Sequence, residues 1–300
     1  MIKTLFDYRL LYLLATIIIV YEIAIGWEND NHHFGFSYLL ADYGHFFLIG
    51  LMAAIIANST GAGGGIVFFP AFVSLGLSTQ EALATSIAIQ CFGMTAGTLG
   101  WLRVQRAELN GYAPQWKSFC QIIGFSLPAS LLGLLCAQWL FPYPQFSVHI
   151  FFSVFSLIVG VAILKNRNST SSHGRWQPLS SLEKLIIVAT SLVGGVITAW
   201  LSVGIGEMLA VCLIFLGFRT NLAIAAAVTL SALTVLAGVP YHALEGKGIQ
   251  YEVLLFAAPA AAIGGTLASW LAVKMGAVRL KKYMAGWIIL SALLYLIAQA

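Results

Sequence analysis

The stretch Gly61-Ala62-Gly63-Gly64-Gly65 interrupts two apolar runs, and a degenerate copy, Gly204-Ile205-Gly206, does the same 141 residues later. The same offset pairs Leu75 with Leu216, Gly76 with Gly217, Thr79 with Thr220, Ala82 with Ala223 and Gly97 with Gly238. After a loop shorter by ten residues, an offset of 131 pairs Pro128-Ala129, Gly133 and Trp139-Leu140 with Pro259-Ala260, Gly264 and Trp270-Leu271. Such a chain is built from two copies of one unit. Glycine breaks at matching places in two hydrophobic repeats are the sequence mark of a transporter whose binding site lies between the copies.

Composition identifies the medium. The chain is 60% hydrophobic and 9% charged, with a mean hydropathy of +0.90, against roughly 25% charged residues in a soluble domain. It reads as an all-α polytopic membrane protein. A net charge of +4 by itself says little about partners, and no nucleic acid is expected. Cys91, Cys120, Cys136 and Cys212 lie scattered in apolar runs without a CxxC or a His/Cys grouping. They are read as buried small hydrophobes, so neither metal nor cofactor is expected. Lys3 and Arg9 precede an apolar run as in a signal peptide, but no small-x-small cleavage site follows, and an uncleaved first helix is expected.

Apolar runs predict membrane segments near 10–27, 44–60, 64–77, 80–101, 118–141, 146–164, 183–201, 205–217, 220–243, 252–273 and 280–299. Segments 64–77 and 205–217 fall short of the roughly 20 residues a spanning helix needs. Each follows a glycine motif, so both are read as half-helices or arms of re-entrant hairpins, which gives about 9–11 membrane segments in all. Lys and Arg concentrate at the N-terminus, in 102–117, in 165–184 and in 274–282, whereas 28–43 and 142–145 have none and 244–251 has only Lys247. The positive-inside rule then places the N-terminus in the cytoplasm and makes the repeats inverted. The organisation expected is an extra N-terminal helix and outer loop (1–43), repeat 1 (44–164), a Ser/Asn/Arg-rich cytoplasmic linker (165–182) and repeat 2 (183–300). His32-His33 in the outer loop could bind metal but are read as incidental, and Glu22, near the outer end of the first helix, is read as snorkelling or pairing locally.

The residues able to bind a ligand cluster around the breaks. Gly61, Gly63, Gly64 and Gly65, with Gly204 and Gly206, let the backbone approach a ligand closely and expose N–H groups at helix N-termini, which suits an anion. On the helices that follow, Thr85, Ser86 and Gln90 in repeat 1, with Thr229 and Ser231 in repeat 2, add hydroxyl and amide donors. Each of these also has the ordinary option of bonding its own helix, and small residues also serve tight helix packing. Ser78-Thr79-Gln80-Glu81 reads as a capping box with Ser78 as N-cap. Glu207 follows Gly206 at membrane depth, where a carboxylate is costly and usually functional. A favourable helix dipole contributes only about 0.3–1 kcal/mol, which does not offset burial of the charge. Glu207 is therefore assigned to coupling, either by taking up a proton with the substrate or by helping hold a sodium ion. His242, near the outer end of its helix, suits a gate, a proton relay or simple interfacial packing.

The stretch GAGGGIVFFPAFVSLGLSTQEALATS, answered by SVGIGEMLAVCLIFLGFRTNLAIAAAV, resembles the TauE/SafE sulfite exporter family, also called the toluene-sulfonate uptake permease family, over about residues 44–299. The resemblance implies a multi-pass protein of the bacterial inner membrane that moves sulfite, organosulfonates or related sulfur anions. The second copy has Glu207 in place of Ile66, no proline at Val211, and Ala226-Ala227 instead of Thr85-Ser86. The function expected is secondary transport of a small anion by alternating access, one repeat rocking against the other. An anion channel and an intramembrane enzyme acting on lipid or peptide are the alternatives. No HExxH, GxSxG or Walker motif is present, and an enzyme is not expected. Self-association as a homodimer is compatible with such a chain.

Overall fold

Hydrocarbon offers no partner for a backbone N–H or carbonyl, so a chain of this composition must satisfy them within helices. The computed structural model describes residues 36–109, 113–142, 147–165, 179–244 and 248–298. These form α1 (Phe36–Tyr43), α2 (His45–Thr60), α3 (Gly65–Ser74), α4 (Thr79–Leu109), α5 (Ala113–Leu140), α6 (Val148–Lys165), α7 (Ser181–Leu201), α8 (Ile205–Phe215), α9 (Thr220–Leu244), α10 (Tyr251–Met275) and α11 (Ala277–Ala298), with no strand among the described residues. Among the described residues, six stretches are long and apolar enough to cross a membrane: Leu39–Thr60, Thr79–Arg106, Trp116–Leu140, Ser181–Leu201, Thr220–Ala243 and Tyr251–Met275. The expected first helix, Glu22, His32-His33 and most of the 165–182 linker lie outside the described residues.

The described residues of two expected loops are helical. The outer loop 28–43 contains α1. Most of 102–117 continues α4 and begins α5, because a helix whose core end is held by packing extends past the apolar stretch when its next residues are good formers such as Leu102, Arg103, Gln105 and Arg106. Cys120 is exposed rather than buried, and all four cysteines are free. Exposed apolar side chains such as Leu132, Trp139, Leu182, Leu185, Leu267 and Trp270 form a lipid-facing exterior. Lys274 lies 4.8 Å from the Trp270 ring centre and Lys184 lies 5.3 Å from that of Phe125, the pairing of cation and aromatic expected at an interface.

The repeat visible in sequence is also a repeat of backbone geometry. α2 ends at Gly61 with φ 80° and α7 ends at Ser202 with φ 59°, residues 141 apart. α3 and α8 both end in a Schellman turn. Leu77 N–H donates to the Phe72 carbonyl at 3.1 Å and Phe218 N–H to the Leu213 carbonyl at 3.0 Å, with Gly76 (φ 95°) and Gly217 (φ 84°) supplying the left-handed residue.

α2 and α3 form a helical hairpin. The start of α2 (His45, Phe46), the end of α3 (Leu75, Gly76), the first turn of α4 (Glu81) and the start of α10 (Gln250, Val253) line one cavity of about 450 Å³. The chain therefore returns to the end from which α2 entered. α4 starts beside Gln250, which follows the end of its repeat mate α9, so the equivalent helices run in opposite senses.

The repeats are interleaved. α10 packs along α2 and α4, while α5 packs along α7 and, less closely, α9; the equivalent pairs α4–α9 and α6–α11 pack on each other. Small residues set these crossings. A Cβ on Gly264 would come 2.5 Å from the Leu51 carbonyl, and one on the equivalent Gly133 would strike the equivalent Leu192 carbonyl. The halves differ at a second crossing. Gly265 of α10 lies directly on the Gly93 backbone of α4, whereas the matching positions on α5 and α9 carry Leu134 and Thr234, whose side chains hold those two helices further apart.

Candidate functional site

Each break satisfies part of its backbone locally. Gly61 N–H donates to the Ala57 carbonyl at 2.9 Å, and Thr60 Oγ1 accepts from Ala62 N–H at 3.3 Å. In repeat 2, Ser202 N–H donates to Thr198 O at 2.9 Å, and Ile205 N–H donates to Thr198 Oγ1 at 3.0 Å. These local bonds leave fewer free N–H groups at the starts of the two short helices.

The breaks meet each other. A Cβ on Gly65 would strike the Ser202 carbonyl, and a Cβ on Gly206 would come 2.5 Å from the Gly61 carbonyl. Both contacts are the same under the 141-residue offset, so they lie across a local twofold between the repeats. Only glycine allows this approach. Gly64 is enclosed as well: its Cβ would stand 2.9 Å from Gln90 Cγ and 2.9 Å from the Phe68 ring.

Glu207 occupies the junction. One carboxylate oxygen accepts from Gly63 N–H at 2.6 Å and the other from Gly204 N–H at 2.7 Å. Gly63 and Gly204 are equivalent residues of the two repeats. The residue is fully buried, and because Gly204 is the N-cap of α8 and Glu207 its third residue, the bond it accepts from Gly204 is half of a capping box.

Gln90 and Ser86 complete the constellation from α4. Gln90 Nε2 donates to Ser202 Oγ at 2.6 Å and to Ser202 O at 3.0 Å, and Ser202 Oγ donates to Ser86 Oγ at 2.8 Å. The Gln90 counterpart in repeat 2 is Ser231, too short to make the corresponding reach. Ser231 is buried and its hydroxyl has no hydrogen-bond partner; it lies 2.6 Å from the Cβ position of Gly206. Thr85 and Thr229 stand apart. Thr85 Oγ1 accepts from Gln250 N–H at 2.9 Å toward the cavity, and Thr229 Oγ1 donates to its own helix at the Ala225 carbonyl, 2.8 Å away. Gly61, Gly63, Gly64, Gly65, Ser86, Gln90, Gly204, Gly206, Ser231 and Glu207 are brought together.

The cavity does not reach this site. Phe46 on its floor packs edge-on against Phe72 with ring centres 5.6 Å apart, and Phe72 stacks on Phe68 at 5.7 Å. Phe68 in turn covers Gly64. The capping box at the rim is formed as expected, with Ser78 N–H donating to Glu81 Oε2 at 2.9 Å and Glu81 N–H to Ser78 Oγ at 3.3 Å. Glu81 Oε1 also accepts from Gln250 Nε2 at 2.7 Å, which ties α4 to the start of α10. His242 is buried on α9 beside Tyr241, ring centres 5.2 Å apart.

Residues 46–295 match the family described as Sulfite exporter TauE/SafE. The chain belongs to the TauE/SafE family. No curated protein and no solved structure matches it. Membership makes it a multi-pass membrane protein of a transporter family, and the TauE/SafE match covers both breaks and every residue of the junction.

Ser202 and Thr198 are the junction residues that a search for glycine misses. Applying the repeat offset to Gly61 lands on Ser202, which is the signal that finds it. Ser202 is also the only non-glycine residue with positive φ among the described residues. A left-handed L-residue costs roughly 1–2 kcal/mol, so the hydroxyl's bonds to Gln90 and Ser86 give serine a reason to stand there. No comparable pattern marks Thr198, whose repeat 1 counterpart is Ala57.

Proposed function

We propose that this TauE/SafE protein is a secondary transporter of a small oxyanion, a sulfur oxyanion or an organosulfonate, and that the anion binds where the two breaks meet. One observation carries the reading: equivalent backbone N–H groups of the two repeats, Gly63 and Gly204, converge on a single buried, carboxylate-sized place. Helix N-termini and neutral N–H donors bind anions without a buried cation. A site on the local twofold between inverted repeats is the one place that both sides of the membrane can reach by equivalent motions.

The bodies that move follow packing rather than chain order. One is α2, α3, α4 and α10; the other is α7, α8, α9 and α5; they touch through α4–α9 and through the breaks. The site is closed toward the cavity by Phe46, Phe72 and Phe68, which makes this an occluded or opposite-facing state. The positive-inside rule puts the cavity on the outside and the cationic ends of α4, α7 and α10 in the cytoplasm of a bacterial inner membrane.

Glu207 is the coupling residue in this reading, since its charge has to be managed when a second anion arrives. A proton is favoured over sodium because the groups that face the Glu207 carboxylate are backbone N–H donors, which repel a cation. A thermal-shift panel of sulfite, thiosulfate, sulfate, sulfonates and carboxylates tests the assignment. A sulfur oxyanion should raise the Tm of the wild type and fail to raise that of Gly206→Val. Equal shifts in both proteins would move the site elsewhere.

A further inference from the structure

Glu207 is the member of the junction that breaks the repeat, since Ile66 stands at its place in repeat 1. Its carboxylate nevertheless sits where the local twofold requires symmetry, with one oxygen on Gly63 N–H and the other on the equivalent Gly204 N–H. Helix capping accounts for the bond to Gly204. It does not account for the bond to Gly63, 144 residues away in the other repeat. Two backbone donors facing the two oxygens of one planar group is the arrangement with which amides hold a bound oxyanion.

A further donor is in place and unused. Ser231, 1% exposed, has no partner for its hydroxyl. The hydroxyl lies 2.6 Å from the point where a Gly206 Cβ would stand, and that point is 3.4 Å from the Gly63 nitrogen. It therefore faces the N-terminal turn of α8, no more than about 6 Å from the Gly63 N–H. A carboxylate has two oxygens, and both are engaged. A three-oxygen anion in the same place has one left for Ser231.

We infer that the Glu207 carboxylate is a tethered occupant of the anion site, holding the paired donors of Gly63 and Gly204 until an incoming oxyanion displaces it. The inference rests on the transport reading for the location of the site and adds that the protein supplies its own competitor. While the tether fills the clamp, only a fraction of molecules can bind, and the apparent affinity is reduced by that fraction.

Titration calorimetry on the purified full chain tests this with acetate, which is the Glu207 head group as a free ion, and with sulfite. Glu207→Ala should bind acetate, the wild type should not, and sulfite should bind the variant about tenfold more tightly or better. A folded Glu207→Ala protein that binds no acetate and binds sulfite like the wild type overturns the inference. Should that variant fail to fold, Glu207→Gln keeps the volume but offers one acceptor atom in place of two. Tighter sulfite binding by Glu207→Gln supports the tether, and unchanged binding overturns it. The two readings fail separately. Sulfite transport by the wild type with unchanged binding in the variants removes the tether alone. Acetate binding gained by Glu207→Ala, in a protein that moves no anion, supports the tether and counts against transport.

Discussion

At the residue scale, Glu207 and Ser202 show how two opposing terms are settled at one junction. Glu207 is a fully buried ionisable group whose carboxylate accepts from two backbone donors of different repeats. Glu207→Gln keeps shape and one acceptor, so the protein should insert and fold while substrate flux loses its dependence on an imposed proton gradient. Flux with wild-type gradient dependence in that variant would reduce Glu207 to a helix-end acid. Ser202→Gly separates backbone from side chain. It relieves roughly 1–2 kcal/mol of left-handed strain and gives up hydrogen bonds worth about 1 kcal/mol, so thermal stability should change little. Substrate affinity should still fall, because Gln90 loses the hydroxyl that fixes it. A large drop in Tm would show that the hydroxyl network is mainly structural. Glu207 was legible in the sequence because a carboxylate in an apolar run is conspicuous. Its bond to Gly63 was not, since nothing in local sequence brings residue 63 to residue 207. Thr85 and Ser86 were equally legible as polar helix residues, but adjacent residues on a helix point about 100° apart. Only Ser86 faces the junction.

At the element scale, glycines of similar appearance have different jobs. Gly76 has φ 95° with nothing within 4 Å of its Cβ position, whereas Gly65 has ordinary backbone and would strike Ser202. Gly76→Ala should therefore cost only about 1–2 kcal/mol of conformational strain and leave anion binding intact. Gly65→Val should abolish binding by forcing the breaks apart, in protein that still purifies folded. Equal binding losses in the two variants, read by titration, would contradict this division. The short helices were predicted from their length and the glycine motifs before them, and their boundaries held to within three residues because Schellman turns at Gly76 and Gly217 end them sharply. The helix at 36–43 and the helical continuation through much of 102–117 were not anticipated, because hydropathy marks where a chain can enter lipid and says nothing of where a helix ends.

At the scale of the whole molecule, the offset arithmetic revealed two copies, and Lys/Arg bias implied that they are inverted. The exchange of α5 and α10 between the two packed bodies was hidden, because sequence order suggests that each repeat packs on itself. The crossings of Gly264 on Leu51 and Gly133 on Leu192 are what hold each body together from elements of both repeats. Orientation is checked by labelling single cysteines from outside intact cells. Gly248→Cys at the cavity end should react with an impermeant maleimide and Lys282→Cys should not; the reverse pattern would invert the topology. The most direct measurement of the central claim is sulfite flux into liposomes carrying the purified protein. Uptake should saturate, become concentrative under a proton gradient and be abolished by Gly65→Val. Absence of flux, an ohmic conductance that does not saturate, or uptake unchanged in Gly65→Val would contradict it.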